Sequence, residues 1–416
     1  MNQKHWFTLA LTLALLAPFL AGPAAVSAGG PIGGMFLIRD ETVDTKDPAM
    51  AYNSHDQEYL VVFWNDRPGN DDIRAERVSK DGKLLGGVWV AAGAGADRRY
   101  PAVAYNSQAN EYLVVWQEDD MDIRGQRVSA TGGLTGGEFD IALGVPSYPR
   151  CYTPAVAYAS TENKYLVVFQ YYSPTTGYGI EARALNSDGS AWGTGFEVEP
   201  YTASGKWYPD LAYNRLRNEF LVVWDQQNSG QYDIRGQRVK MAGGAGLLGS
   251  AFWFSCDASR DDIVPAVAAV PRSPDGQYLV AWQYWTNANN YDIWAQRVAG
   301  EGTLEGNAFL VRYNPFAQDE LGPAVAGSES NQQYLVAWTI LPAVFPCVWG
   351  QVVSTSGALV GTMTVVGGVD AGNPAVAAGP TGDFLIAFHD KLVGNYDIFG
   401  RLWGNRLYLP LVLKNH

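Results

Sequence analysis

Residues 101–128 read PAVAYNSQANEYLVVWQEDDMDIRGQRV, and their pattern returns along almost the whole chain. The stretch contains three β-type runs. The first, behind Pro101, is built of small apolar residues. The second, Tyr112 to Trp116, is apolar at every position, as in a strand buried on both faces. The third, Asp122 to Val128, alternates apolar and polar side chains, as in a half-buried strand. A Gly-rich turn then leads to a fourth run, GGEFDI from Gly136.

The first run recurs at Pro48 (PAMAYN), Pro154 (PAVAYA), Pro209 (PDLAYN), Pro265 (PAVAAV), Pro323 (PAVAGS) and Pro374 (PAVAAG). Successive prolines are 53, 53, 55, 56, 58 and 51 residues apart. The second run recurs from Tyr59, Tyr165, Phe220, Tyr278, Tyr334 and Phe384, and the third from Asp72, Gly179, Asp233, Asp292, Cys347 and Asp397. Such a period means a repeat architecture. No copy carries a helical period. Four short strands per repeat, arranged radially, make an all-β seven-bladed β-propeller of four-stranded antiparallel blades. Small residues in the first run suit an inner strand where blades converge, and its leading proline need not donate to the ladder.

The seventh copy stops after its third run, near Trp403, while an unmatched strand, Gly33-Gly34-Met35-Phe36-Leu37-Ile38, precedes Pro48. Residues 33–40 are therefore expected to complete the last blade, removing two open sheet edges. The alternative is an open solenoid with Phe36 unpaired. The D-[IV]-x-[GA]-Q-R third strand and G-x-x-F fourth strand resemble the repeats of secreted bacterial propellers of generally unassigned function, over residues 33–403. The resemblance implies the fold and says little about chemistry. Neither the Trp-Asp of WD repeats nor the spaced aromatics of kelch repeats are present, and Ser187 to Trp192 (SDGSAW) lacks the spacer of a sialidase Asp box.

Residues 1–28 read as a cleavable signal peptide: a polar head at Lys4 and His5, an apolar stretch from Trp6 to Leu20, and small residues at Val26-Ser27-Ala28. An N-terminal anchor is the alternative, disfavoured by Pro18 and Pro23. Export predicts a secreted or cell-surface location, with no membrane span in the mature chain. Residues 404–416 form a tail whose YLPLVL segment resembles an ending found on some exported bacterial proteins, with a sorting or anchoring role, or a short strand packed on the last blade, as its readings. The three cysteines, Cys151, Cys256 and Cys347, lie in different repeats and fit neither a metal knuckle nor a disulfide framework.

A formal charge of −13 and the absence of any Lys/Arg run exclude nucleic acid as a partner. The expected partner is a glycan or an extracellular protein. The loops from second to third strand and from fourth to first share one face and vary among copies, which makes that face the candidate for binding. Candidate ligand contacts there are Trp64, Asp66, Asp119, Asp120, Tyr171, Tyr172, Asp225, Tyr232, Tyr284, Trp285, His389 and Asp390. Tyr100, Tyr148, Tyr152, Tyr178, Tyr201, Trp207, Tyr208, Asn287, Tyr313, Phe316 and Phe345 lie in the same loop set. Aromatic faces stack on sugars while Asp, Asn and Gln bind hydroxyls; the same aromatics also serve as loop plugs.

Asp72, Asp122, Asp233, Asp292 and Asp397 recur at the start of the third strand, and Arg77, Arg127, Arg183, Arg238 and Arg297 at or near its end, so both sets are expected to be structural. Glu118 to Asp122 and Asn65 to Asp72 supply oxygen ligands of the kind calcium takes, yet match no EF-hand loop. No cofactor or metal is expected, with calcium the one alternative. No nucleophile elbow, phosphate loop or His-Glu-x-x-His is present. The resulting expectation is a non-catalytic binding or interaction module, carbohydrate-binding through its loop-rich face. The alternatives are a glycoside hydrolase or polysaccharide lyase with carboxylates at the axial pocket, and a purely structural envelope protein.

Overall fold

The computed structural model describes residues 30–404, apart from 145–149, 256–258, 273, 287–289, 313–317, 342–345, 369 and 392–393. Residues 1–28, read above as a signal peptide, the tail beyond 404, and Tyr148, Cys256, Asn287, Tyr313, Phe316 and Phe345 lie outside the described residues.

Seven four-stranded antiparallel sheets form a ring, and no helix occurs among the described residues. Blade 2 shows the plan: inner strand Arg98–Asn106, second strand Glu111–Glu118, third strand Asp122–Ser129 and outer strand Leu134–Ala142. The ring closes as the sequence predicts. Gly30–Arg39 pairs antiparallel with Asp397–Gly404, placing Phe36 opposite Gly400 and Leu37 opposite Phe399.

The core lies between blades because each second strand is buried on both faces. Tyr112, Leu113, Val114, Val115 and Trp116 are all fully buried. The two-residue period sends alternate side chains to opposite neighbours. In blade 4, Phe220, Val222 and Trp224 pack with Leu166 and Val168 of blade 3. Leu221 and Val223 pack with Tyr278, Val280 and Trp282 of blade 5. At the seam, Tyr59, Val61 and Phe63 of blade 1 meet Leu385 and Ala387 of blade 7.

The third-strand motif has a steric cause. A Cβ at Gly236 would sit 2.6 Å from the Phe254 ring, and one at Gly400 would sit 2.7 Å from Phe36. Glycine here leaves room for an aromatic ring carried on the outer strand (Phe36) or just beyond its end (Phe254). The Gln that follows bridges a bulge: Gln126 Nε2 donates to the carbonyls of Arg127 (2.9 Å) and Thr135 (3.1 Å), and Gln237, Gln296 and Gln351 do likewise. The recurrent Asp and Arg are structural. Asp122 Oδ1 accepts the Gly144 N–H (2.7 Å), fastening the next loop, and Arg77 pairs with Glu58 (2.8 Å) as Arg127 does with Glu111 (3.1 Å).

The leading prolines do not sit at strand starts. Each lies inside its inner strand at a bulge, where pairing skips from Arg99 to Ala102 in blade 2 and from Trp207 to Asp210 in blade 4. The residue before every proline has positive φ: Asp47, Tyr100, Thr153, Tyr208, Val264, Gly322 and Asn373, between 44° and 56°. Proline suits a bulge because it has no N–H to lose.

Candidate functional site

The seven bulges form a collar around the axis, held from blade to blade. At four of the seven, the N–H of the residue before the proline meets a side chain near the end of the second strand of the preceding blade. Thr153 N donates to Gln117 Oε1 (3.1 Å), Val264 N to Asp225 Oδ2 (3.0 Å), Gly322 N to Gln283 Oε1 (2.7 Å) and Asn373 N to Thr339 Oγ1 (3.1 Å). The corresponding residue of blade 1 is Trp64, which cannot accept; its Nε1 donates to Asp47 Oδ2 (2.9 Å). That collar position is where the repeats differ in chemistry.

Over blades 1 to 5 the collar borders a cavity of about 820 Å³. Its floor is Pro48, Pro101, Pro154, Pro209 and Pro265, and its walls carry Tyr100, Tyr152, Tyr172, Tyr178, Trp207 and Tyr208. Three of these rings form a ladder, with centroids 4.6 Å apart for Tyr172 and Tyr178 and 4.7 Å for Tyr178 and Trp207. The polar lining is Asp47, Asp120, Asp210, Gln117, Gln170 and Thr153, and among the described residues no Lys, Arg or His joins it.

Asp210 is the asymmetric element. It stands where the other six inner strands place Ala, directly after the proline. Oδ1 accepts the Leu211 N–H and Oδ2 the Val267 N–H of the next blade, both at 2.8 Å. Burial raises its pKa to about 6, against the pull of those two N–H groups. The residue is half-buried and opens onto the cavity.

Of the residues singled out from sequence, Asp120 and Tyr172 line this cavity, and Asp225 and Tyr232 line a smaller neighbouring pocket. The other eight line neither. Trp64 is buried at the blade 1–2 contact. Asp66 is exposed and pairs with Lys46 (3.1 Å). Asp119, at φ 53°, caps a turn by accepting the Asp97 N–H (2.8 Å). Tyr171 packs on Tyr201, and Tyr284 on Trp294 beside Arg260. Trp285 meets Tyr291 edge-on. His389 ends a second strand as a collar residue, edge-on to Tyr396, and its burial lowers its pKa. Asp390 is fully buried and accepts the Asp370 N–H (3.2 Å). The carboxylates at 66, 119, 225 and 390 thus do not share the axial cavity.

Asp47, Gln117, Gln170 and Asp210 were not singled out from sequence. A signal existed for Asp210: PDLAYN among six copies with Ala. Tyr100, Tyr152, Trp207 and Tyr208 belong to inner strands rather than to loops. Among the described residues, no group of three or more His, Cys, Asp or Glu side chains is placed to hold a metal ion. In the acidic turns, Glu118 and Asp72 are both paired with Arg98.

No protein-family model matches the chain, and no curated protein sequence matches it. Among solved structures, a protein of unknown function from Dyadobacter fermentans DSM 18053 superposes with a TM-score of 0.51 at 10% identity, over 90% of this chain and 100% of that one. The Hadza microbial sialidase Hz136 superposes with a TM-score of 0.50 at 12% identity, over 73% of this chain and 66% of its own. At these identities the likeness is one of fold.

Proposed function

We propose that this propeller is a non-catalytic extracellular binding module that takes a carbohydrate in its axial cavity. The observation that carries this reading is a cavity of about 820 Å³ walled by aromatic rings and edged by carboxamides and carboxylates, with no cationic lining. Tyr172, Tyr178 and Trp207 offer apolar ring faces to a sugar, and Gln117, Gln170, Asp120 and Asp47 offer hydroxyl partners. With three carboxylates and no cation in the lining, an uncharged glycan suits the cavity better than a uronate or sialic acid. A polysaccharide outside the cell also agrees with the export reading of residues 1–28.

The second reading is glycoside hydrolysis or elimination, favoured by one observation: Asp210 has a raised pKa and shares the cavity with Asp47 and Asp120. Both oxygens of Asp210 are already engaged by backbone N–H groups, which suits a blade-to-blade brace more than a proton donor. A structural envelope role has no comparable observation behind it.

The test is titration of the mature chain with a panel of neutral and acidic polysaccharides, alongside a reducing-sugar assay. Binding of a neutral glycan that falls about tenfold or more in Tyr172→Ala, without sugar release, supports the module. Release of sugar that disappears in Asp210→Asn establishes the enzyme instead. Absence of both sinks the carbohydrate reading.

A further inference from the structure

A second pocket, of about 400 Å³, lies between blades 4 and 5. Four of its seven lining residues are aromatic (Trp207, Tyr208, Tyr232 and Tyr291), two are Asp225 and Asp261, and the last is Ile263. Trp207 and Tyr208 line both sites, and the Trp207 ring meets Tyr178 on the axial side while its Nε1 donates to Tyr232 Oη (3.3 Å) on this one.

Asp225 is the unusual member. The residue is 1% exposed, yet its Oδ1 has no hydrogen-bond partner while Oδ2 accepts the Val264 N–H. A buried acceptor left open is costly. Equivalent collar positions solve the bracing task with a neutral amide or hydroxyl at Gln117, Gln283 and Thr339. Bracing alone therefore does not require a carboxylate here. The other acid, Asp261, holds the Tyr232 N–H through Oδ1 (2.9 Å) and adds negative charge beside Asp225. Among the described residues no basic side chain lines the pocket, and Arg260, next in the chain, lies over the Tyr284 ring (5.3 Å).

Aromatic walls with acidic groups and no resident cation match one ligand class, a cation with apolar substituents, which gains from ring faces and from carboxylates together. We propose that the blade 4–5 pocket binds an organic ammonium ion, caged by Trp207, Tyr208, Tyr232 and Tyr291 and neutralised by Asp225 and Asp261. The site goes beyond the carbohydrate reading and takes a different ligand, so either can fail alone.

Binding must carry a proton signature. Burial raises the Asp225 pKa to about 8, with the Val264 N–H opposing the rise and the Asp261 charge adding to it. Near neutrality Asp225 is largely protonated, and a bound cation displaces that proton. The other titratable groups facing it are Asp261 and the phenols of Tyr208, Tyr232 and Tyr291.

The experiment is calorimetric titration of the mature chain with choline chloride and with its neutral isostere 3,3-dimethyl-1-butanol, at about pH 6.5, 7.5 and 8.5, in buffers of different ionisation heat. The expected result is choline binding at least about tenfold tighter than the isostere. Affinity should rise about tenfold per pH unit below the Asp225 value, with net proton release. Asp225→Asn should flatten the pH dependence. Because that substitution also touches the collar, Tyr291→Ala, which leaves the collar intact, should weaken choline about fivefold or more. Equal binding of the two ligands, an affinity constant across the pH range, or no heat with about 50 mM choline overturns the proposal.

Discussion

Asp210→Ala converts the one deviant inner strand to the residue its six counterparts carry, and its consequence is a stability change with a defined pH slope. Burial raises the Asp210 pKa to about 6 in the folded chain, against about 3.9 in an unfolded one. The folded state therefore holds its proton over a window where the unfolded state has released it. Stability from this group is complete below about pH 4, falls as pH rises through about 4 to 6, and is constant above that. Two pKa units correspond to about 3 kcal/mol, and access of the side chain to the open cavity reduces this to about 1–2 kcal/mol. Loss of the two 2.8 Å bonds to Leu211 and Val267 costs the variant a similar amount at every pH. The difference between variant and wild type thus shifts in the variant's favour by about 1–2 kcal/mol between about pH 4 and pH 7. Urea unfolding of both proteins at the two pH values, followed by tryptophan fluorescence, measures it. A difference that is flat with pH, or that moves in the wild type's favour as pH rises, refutes the placement of Asp210 as a desolvated carboxyl between two inner strands.

Phe36→Ala should destabilise the propeller by about 2–3 kcal/mol, because the Phe36 side chain packs over Gly400 of the strand it pairs with and Gly82 of blade 1; a thermal melt checks it, and an unchanged midpoint removes the seam. Gly236→Val places a Cβ 2.6 Å from Phe254 and should cost about 1–3 kcal/mol or yield insoluble protein, measured against Gly246→Val, whose Cβ meets nothing within 4 Å. Val264→Gly should be neutral or stabilising by up to about 1 kcal/mol, since Val264 is β-branched at φ 54° and blade 6 already carries Gly322 there; clear destabilisation in chemical unfolding would mean the collar bulge is not strained.

Blade count, strand order, inner-strand smallness and the join of Phe36 to the last blade were all legible in the chain, because each rests on a local period or on a motif present in one place and missing in another. The steric reading of D-I-x-G-Q-R was not, since the Phe254 or Phe36 ring that crowds the glycine comes from a distant part of the chain. The same holds for the bulges. Proline announces that an N–H is missing, but only the paired strands reveal that the preceding residue turns its own N–H to another blade.

The candidate site divides on the same line. Variable, aromatic second-to-third loops pointed to one end of the ring, and of the residues named there Asp120 and Tyr172 line the axial cavity. Which of seven loops face a shared space depends on blade tilt and on the bulge that turns each strand mouth inward. Those are sums of contacts between residues about 50 positions or more apart, which no local pattern encodes. Sequence settled how many wedges there are and how each is layered; packing alone decided that Asp225 and His389 sit in the collar, that Asp390 is buried, and that Asp47, Gln117 and Asp210 look into the cavity.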